Sequence, residues 1–334
     1  MEYRYLGRSA LKVSPLCLGA MMFGGETDEA TSKQIIDRAS EQGVNFIDTA
    51  DVYHAGKSEE IVGRAIASQR DKWVIATKFG FPFAQGVNDQ GQSRKWIYQS
   101  VDASLRRLGS DYIDILYFHR AIPGLALEES VRAIGDLIRQ GKVRYFGVSN
   151  FTGWRIAEIC RIADLLGIDR PVASEPLYNI VNRTAEVEQL PSAAHYGLGV
   201  VPYSPLARGV LSGKYAVDAT PPAESRAGRG DLRIQQTELR KESIEIAQKI
   251  AAYAAERGTD SIALSLAWVL NNPNVTSTIA GPRTEVHWNS YMNALSLQLT
   301  DEDEKFIDSL VPPGHVSTHG YTDPGYPVEG CKAR

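Results

Sequence analysis

The sequence predicts an α/β fold, a closed (β/α)8 barrel of the TIM type with an N-terminal β-hairpin, extra helices and a C-terminal tail. Short apolar runs alternate with longer stretches of helical periodicity, and eight such pairs fit into the 334 residues. Runs such as WVIATK at 73–78 and YIDILYF at 112–118 are apolar almost throughout, which is typical of parallel strands covered on both faces. Eight units of this length favour a closed barrel over an open sheet.

The individual elements follow from these runs and from the residues that punctuate them. The expected strands cover residues 15–21, 44–48, 73–78, 112–119, 143–148, 171–177, 199–203 and 276–280. The expected helices cover residues 29–42, 58–69, 95–108, 127–140, 152–166, 185–196, 261–270 and 284–295. Gly43, Gly141 and Gly167 stand where helices should end, and Thr152 can cap the fifth. Residues 1–14 predict a small hairpin that covers the amino-terminal end of the barrel.

Insertions and a tail break this rhythm. Residues 207–236 are rich in Gly and Pro and predict a long mobile loop, which leads into an extra helix at about 237–257. A final helix near 301–310 precedes the tail at 311–334. In this tail His315, His319, Tyr321 and Tyr326 alternate with turn residues, so we expect it to pack against the protein, to cover the barrel mouth and to shape substrate specificity. The whole chain, 1–334, is expected to form a single domain.

Bulk properties exclude several classes of protein. No run of 18 apolar residues and no apolar signal core occur, which predicts a soluble cytoplasmic protein without a membrane partner. A net charge of −4 and a pI near 5.9 predict no nucleic-acid partner. Cys17, Cys160 and Cys331 are far apart, which favours reduced thiols. No metal site is expected. His315 and His319 have the i, i+4 spacing of a metal-binding pair on a helix, but the Gly- and Pro-rich tail is not expected to be helical. Monomer and homo-oligomer both stay open.

Polar side chains follow three consecutive strands at the end where barrel active sites lie. The second strand ends in Asp48, with Tyr53 five residues on; the third ends in Lys78 and the fourth in His119. Each residue taken alone has an ordinary structural explanation, such as a turn, a solvated charge or core packing. Together they predict a device for donating protons. A free tyrosine has a pKa of about 10, and an ammonium beside it is expected to lower that value.

The remaining roles complete a site for carbonyl reduction. The carboxylate of Asp48 would keep Lys78 charged and oriented, while His119 would polarise or position a substrate oxygen. The alkoxide that develops during reduction needs such a proton.

The chain resembles the aldo-keto reductase superfamily, including its bacterial-type members and its potassium-channel β-subunits, over nearly its whole length. The resemblance rests on LGAMMFGG at 18–25, NFIDTADVYHAGKSEEIVGRAI at 45–66, ATKFG at 76–80, SLRRLGSDYIDILYFHR at 104–120, GKVRYFGVSN at 141–150, YSPLARGVLSGKY at 203–215 and IAGPRT at 279–284. It implies a (β/α)8 barrel that uses NADPH without a metal, and a small-molecule carbonyl substrate. It also implies that Tyr53 is the general acid, supported by Asp48, Lys78 and His119.

The same resemblance implies where the cofactor binds. Ser149 and Asn150 would hold the nicotinamide carboxamide, with Tyr203 stacked on the ring. Arg283 would meet the adenosine phosphate near the start of a helix, a position that favours anions. The full implied set is Met21, Asp48, Ser149, Asn150, Glu175, Tyr203, Ser204, Pro205, Leu206, Ala207, Gly209, Lys214, Ala280, Gly281, Arg283 and His287.

Three positions depart from the family's pattern. Glu175 stands where Gln is frequent; it can accept a bond from the carboxamide but adds negative charge near the ring. His287 and Tyr291 stand where Gln and Asn are frequent. These departures leave NAD open beside NADP.

Other functions compete with this interpretation. Tyr53 and Lys57 match the YxxxK spacing of short-chain dehydrogenases, but this tyrosine follows a strand, and no GxGxxG fingerprint is present. Residues 209–215 lack the spacing of a Walker A phosphate loop. Two alternatives stay open: a dehydrogenase that oxidises a sugar or an alcohol, and a nucleotide-sensing binding subunit.

Overall fold

A computed structural model describes residues 1–328. Within this range the strands are β1 (Arg4–Tyr5), β2 (Lys12–Val13), β3 (Leu16–Gly19), β4 (Phe46–Asp48), β5 (Val74–Phe79), β6 (Ile113–Phe118), β7 (Val143–Ser149), β8 (Ala173–Glu175), β9 (Gly199–Val200) and β10 (Thr278–Ala280). The α-helices are α1 (Glu29–Glu41), α2 (Lys57–Ile66), α3 (Arg94–Leu108), α4 (Glu128–Arg139), α5 (Gly153–Leu166), α6 (Gln189–Tyr196), α7 (Leu232–Gln236), α8 (Lys241–Glu256), α9 (Ser261–Asn271), α10 (Glu285–Met292) and α11 (Asp301–Leu310).

Eight of the described strands form one parallel sheet in the order β10-β3-β4-β5-β6-β7-β8-β9. Its two edges meet, because the amide of Thr276 donates to the carbonyl of Val200 and the amide of Ile279 donates to that of Pro202, both at 2.9 Å. A parallel sheet that follows chain order and joins its own edges is a barrel. The predicted (β/α)8 barrel is therefore confirmed, and β1 pairs antiparallel with β2 as the predicted hairpin.

The barrel interior is packed with apolar side chains from successive strands. Phe46, Val74, Ala76 and Ile115 belong to one buried cluster there. Tyr117 in β6 fills the space opposite Gly147 in β7, its register partner. A Cβ atom at position 147 would lie 2.5 Å from the Tyr117 ring, so only glycine fits without displacing it.

By its internal contacts the described chain divides into two compact units. The first comprises Met1–Leu177, Glu188–Tyr203 and Asn272–Met292, and holds the barrel sheet, the hairpin, α1 to α6 and α10. The second comprises Tyr178–Val187, Ser204–Asn271 and the described residues from 293 onward, and holds α7, α8, α9 and α11. The single-domain organisation stays a prediction.

Proline chemistry explains where α6 begins. The range 185–196 was expected to be one helix, but it contains a 3₁₀ turn at Thr184–Glu186 and then α6 from Gln189. Pro191 is tolerated in the first turn of a helix, where no intrahelical bond to its nitrogen is needed. In a helix begun earlier, its ring would collide with the carbonyl of Val187.

The boundaries of α2 and α8 also differ from expectation. Helix α2 ends at Ile66 and continues as a 3₁₀ helix at Ala67–Lys72, where Gln69 leaves helical geometry with φ −142°. The extra helix expected from residue 237 begins instead at Lys241. The Thr237 hydroxyl donates back to the carbonyl of Arg233, which closes α7 and leaves a break before α8.

The segment predicted as a loop, 207–236, contains helical structure at both ends. A 3₁₀ helix covers Ala207–Ser212, and α7 forms because the Asp231 side chain accepts from the amide of Ile234 at 2.9 Å. Tyr215 is 3% exposed, and its hydroxyl accepts from the amide of Ala227 at 3.3 Å. The Gly and Pro content of this segment predicted a loop and gave no sign of these contacts.

The described part of the tail packs on its own unit. The carbonyl of His315 accepts from the amide of Arg183 at 2.8 Å. The Arg240 guanidinium lies 3.8 Å from the centre of the Tyr321 ring, and Arg233 pairs with Asp323 at 2.7 Å. These contacts agree with the expectation that the aromatic tail packs against the protein.

Cys17 and Cys160 are buried free thiols, while Cys331 lies outside the described residues. Within 1–328, no helix has the length and apolar character needed to cross a membrane.

Candidate active site

Strand periodicity places a set of polar side chains at one end of the barrel interior. Side chains alternate between the two faces of a strand, so residues two apart point the same way. Phe46, Ala76 and Ala173 belong to the interior cluster. The next positions of the same facing are Asp48, Lys78 and Glu175, all 3% exposed or less. The apolar interior therefore ends in a polar layer that is itself buried.

Lys78 is the centre of this layer. Its Nζ donates to Asp48 Oδ1, to the carbonyl of Thr49 at 2.9 Å and to the Tyr53 hydroxyl at 3.4 Å. Glu175 Oε1 lies 3.5 Å from the same nitrogen. Burial lowers the pKa of Lys78, but its acidic neighbours, above all the negative charge of Asp48, outweigh burial and hold that pKa well above its ordinary value. Lys78 is therefore an ammonium ion at neutral pH.

Tyr53 reaches this ammonium from the turn that follows β4. Its amide donates to the carbonyl of Ala50 at 3.2 Å, and the turn closes through His54 and Ala55 with φ of 47° and 55°. Such left-handed geometry is costly for residues other than glycine and is held only by surrounding structure. The ring lies 5.9 Å from that of His119, edge to face at 80°.

The expectation for the acidity of Tyr53 was wrong in its net direction. Burial raises the pKa of Tyr53 above its ordinary value, and the opposing effect of Lys78 is smaller. The ammonium acts in the expected sense, but a strand-end position in the sequence does not reveal how deeply the hydroxyl is desolvated. Tyr53 is therefore a neutral phenol at neutral pH, with its proton in place.

His119 directly follows β6 and is kept neutral. Burial lowers its pKa well below the ordinary value, and the positive charges of Lys78 and Arg120 act in the same direction. The Phe81 ring packs against the imidazole at 4.6 Å and 88°. Nδ1 is buried and has no hydrogen-bond partner within residues 1–328.

Next to these side chains, a second cluster of polar residues is linked by hydrogen bonds. The Asn150 amide nitrogen donates to the carbonyl of His119 at 2.9 Å and to Ser149 Oγ at 3.0 Å, and its oxygen accepts from the Tyr203 hydroxyl at 2.8 Å. Ser149 Oγ in turn donates to the carbonyl of Glu175 at 3.0 Å. Asn150 adopts φ 58°, which asparagine tolerates better than most residues.

The other residues expected to bind a cofactor fall in two separate places. In the first unit, Met21 lies in the turn after β3, Ala280 ends β10 and Gly281 follows it, with Ala280 and Leu18 as register partners. Arg283 lies two residues before the start of α10, and His287 lies in the first turn of that helix. The Arg283 side chain is half-buried, and no ion pair or side-chain hydrogen bond joins it to the described chain.

The second unit contains a tight turn formed by the rest of the expected set. Ser204, Pro205, Leu206, Ala207, Gly209 and Lys214 lie together along this turn. Ala207, Arg208 and Gly209 have successive positive φ of 48°, 53° and 96°, and Ser204 has φ 54°. A Cβ atom on Gly209 would lie 3.0 Å from Lys214 Nζ, so the structure brings these two residues together. Successive left-handed residues beside an ammonium are typical of anion-binding backbone turns.

Sequence reasoning missed two buried polar groups next to the site. Asp51 lies two residues before Tyr53, is 1% exposed, and neither carboxylate oxygen has a partner in the described chain. The Tyr117 hydroxyl, inside the barrel, also has none among residues 1–328. The alternation along β6 would have identified Tyr117 as inward-facing; nothing in the local sequence around Asp51 indicates its burial.

A buried ammonium that bridges a carboxylate and a phenol, at the carboxyl end of a parallel barrel, defines a class of barrel oxidoreductases. The model of the aldo/keto reductase family matches residues 15–312. The chain belongs to the aldo/keto reductase family.

Curated relatives span nearly the full length of the chain. A probable voltage-gated potassium channel subunit beta of Oryza sativa subsp. japonica is 37% identical, over 96% of this chain and 100% of the relative. The uncharacterized oxidoreductase YrpG of Bacillus subtilis (strain 168) is 37% identical, over 96% and 99%. Versiconal hemiacetal acetate reductase of Aspergillus parasiticus is 32% identical, over 94% and 98%.

Membership of this family confirms the general chemistry expected from the sequence. The chain is an oxidoreductase that acts on carbonyl or alcohol groups of small molecules with a nicotinamide cofactor.

Proposed function

We propose that this protein reduces an aldehyde or ketone to an alcohol with NADPH, and that Tyr53 donates the proton. The observation that carries the proposal is the position of Lys78 Nζ, bonded to Asp48 and 3.4 Å from the Tyr53 hydroxyl. A phenol kept protonated by burial is a competent donor, and the adjacent ammonium stabilises the phenolate left behind.

His119 completes the proposed chemistry as a neutral hydrogen-bond donor. A neutral imidazole carries one N–H, which can bond to the substrate oxygen and polarise the carbonyl without competing for the proton of Tyr53. Asp48 keeps Lys78 in place and charged.

The residues present fit a nicotinamide cofactor. Bound there, the reduced cofactor would supply the hydride. Ser149, Asn150 and Glu175 would hold the carboxamide, with Tyr203 against the ring; the buried Glu175 Oε2, which has no partner within 1–328, suits a carboxamide N–H. Asp48 and Met21 would line the same end. The turn of Ser204, Pro205, Leu206, Ala207, Gly209 and Lys214 would take the pyrophosphate, and Ala280, Gly281, Arg283 and His287 the adenosine phosphate.

The half-buried Arg283 side chain supports NADP over NAD, because a guanidinium without an ion-pair partner in the described chain suits a phosphate. NAD stays possible beside it, since His287 and Tyr291 depart from the family's pattern.

The test of the proposal is Tyr53→Phe. We expect turnover of aldehydes and ketones to fall by about a hundredfold or more, because proton donation in the transition state is lost, while NADPH binding is retained. Tyr5→Phe, which removes a hydroxyl from an exposed tyrosine of the hairpin, should leave turnover unchanged and serves as control. Unchanged turnover in Tyr53→Phe would exclude the assignment of the proton donor.

A nucleotide-sensing binding subunit is the second candidate. Relatives named as potassium channel subunits beta favour it, at 37% and 38% identity. Stable capture of a membrane protein together with turnover too slow to measure would favour the binding role. The third candidate function is oxidation of a sugar or alcohol by the same residues. The oligomeric state and the cytoplasmic location stay predictions.

A further inference from the structure

Glu175 occupies an unusual electrostatic position. It ends β8, faces the barrel interior and is 3% exposed. Its Oε1 lies 3.5 Å from Lys78 Nζ, and its Oε2 has no partner within residues 1–328. Its own carbonyl accepts from Ser149 Oγ at 3.0 Å and from the amide of Asn150 at 3.2 Å. The residue therefore lies directly beside Ser149 and Asn150, which are proposed to hold the nicotinamide.

One ammonium here faces two carboxyl groups. Asp48 holds the direct hydrogen bond to Lys78, and Glu175 is the more distant of the two acids. The other titratable groups that act on Glu175 or respond to it are Tyr53, Tyr117 and Cys17, and none of them is a cation. Burial raises the pKa of Glu175 well above its ordinary value, and the charge of Asp48 adds to this. Among the groups that act on Glu175 within residues 1–328, Lys78 is the one cation. Glu175 is thus the acid that keeps its proton in the free protein.

We propose that Glu175 makes this protein favour the oxidised over the reduced nicotinamide cofactor, and that it releases one proton to solvent when the oxidised form binds. The inference rests on the proposed function, which places the nicotinamide beside Ser149 and Asn150. The oxidised ring carries one positive charge and the reduced ring carries none. A second cation beside Glu175 favours its carboxylate, so the acid ionises only with the oxidised form.

The balance of this step is simple. Glu175 enters as a neutral carboxylic acid, the oxidised ring brings one positive charge, and the complex contains a carboxylate and the cationic ring. The proton goes to the buffer, and no group is oxidised or reduced. The affinity for the oxidised cofactor relative to the reduced one must then rise with pH. The 2′-phosphate, which itself titrates at about pH 6, is common to both cofactors and cancels in that ratio.

The experiment compares binding of NADP+ and NADPH to the full chain. Dissociation constants are measured by calorimetry between pH 6 and 9 for the natural chain, Glu175→Gln and the control Glu41→Gln. The control removes one carboxylate from an exposed position on α1. Glutamine has nearly the shape of the protonated acid and, like it, offers both a donor and an acceptor, but it cannot ionise.

We expect Glu175→Gln to weaken NADP+ binding at pH 8 about tenfold or more beyond any change in NADPH binding. This is the size expected for the loss of one charge pair in a partly shielded site. At pH 8, where the shared 2′-phosphate is already ionised, titrations in buffers of different ionisation enthalpy should show about one proton released with NADP+ and none with NADPH. Glu41→Gln should behave like the natural chain.

Two results separate failure of this inference from failure of the proposed function. If both cofactors bind, but Glu175→Gln leaves their affinity ratio unchanged and no proton is released, the role of Glu175 is refuted and the proposed function stands. If the natural chain binds neither cofactor, both are overturned. The proton-release measurement uses the unmodified chain, so it decides even if the variant does not fold.

Discussion

Asp51 should make the stability of this protein fall as the pH rises, and Asp51→Asn should abolish that effect. The carboxyl group is 1% exposed, and neither oxygen has a hydrogen-bond partner in the described chain. Burial raises its pKa to about 8; the negative charge of Glu59 adds to the rise, and Arg107 and Lys78 oppose it. An unfolded aspartic acid titrates near pH 4.

The sign follows from proton binding. Between about pH 4 and pH 8 the folded chain keeps the Asp51 proton while the unfolded chain loses it, so raising the pH favours unfolding. The stability contribution is fully present below pH 4 and is lost as the pH rises through 8. The slope for one proton is about 1.4 kcal/mol per pH unit, so the loss reaches about 4 kcal/mol by pH 7.

Urea unfolding at pH 5, 6, 7 and 8 measures this contribution as a difference between variants. The free energy of unfolding of Asp51→Asn, minus that of the natural chain, should increase by about 1.4 kcal/mol per pH unit. Other titrating groups cancel in that difference. Asp37→Asn, a change at an exposed acid paired with Lys33, should give a difference that does not vary with pH. Parallel curves for Asp51→Asn and the natural chain would refute the reasoning.

The remaining predictions concern the two ends of the proposed cofactor and substrate site. Arg283→Ala should weaken NADPH binding about tenfold to a hundredfold and NADH binding far less, because only NADPH has the 2′-phosphate; equal losses in calorimetric titrations would place that phosphate elsewhere. His119→Gln should lower turnover without changing the shape of the profile of kcat/KM between pH 5.5 and 8, because the His119 pKa lies well below its ordinary value and the imidazole is already neutral there. A titration near pH 6.5 that disappears in His119→Gln would contradict this assignment.

The barrel was predictable because its signals are local and repeated. Each strand run is apolar on both faces and each helix has its own period, so the eight units and the strand-end positions of Asp48, Lys78 and His119 follow from the chain alone. Tyr53 followed from its spacing after Asp48. The structure brings Asp48 and Tyr53 to Lys78 and His119 to Tyr53, so the four expected side chains lie together.

What could not be predicted depends on burial and on contacts distant in the chain. The net direction of the Tyr53 pKa shift depends on how deeply its hydroxyl is buried. The raised pKa of Asp51 depends first on burial of its carboxyl group and then on the negative charge of Glu59. Boundaries failed where one side chain decides them: Pro191 delays α6, and Thr237 separates α7 from α8. Such effects leave no periodic pattern in the sequence, so they could not be predicted from it.

The hydrogen bonds of Asn150 have a consequence for the speed and selectivity of recognition. Its amide is held by His119, Ser149 and Tyr203 before any ligand arrives, and its backbone already has the uncommon left-handed conformation. A ligand that bonds to this side chain therefore orders nothing new, and little conformational entropy is lost on binding. A rigid amide also discriminates. Both N–H groups of Asn150 already donate within the protein, so its side chain can only accept a further bond from a ligand, and a ring substituent without a donor gains nothing from it.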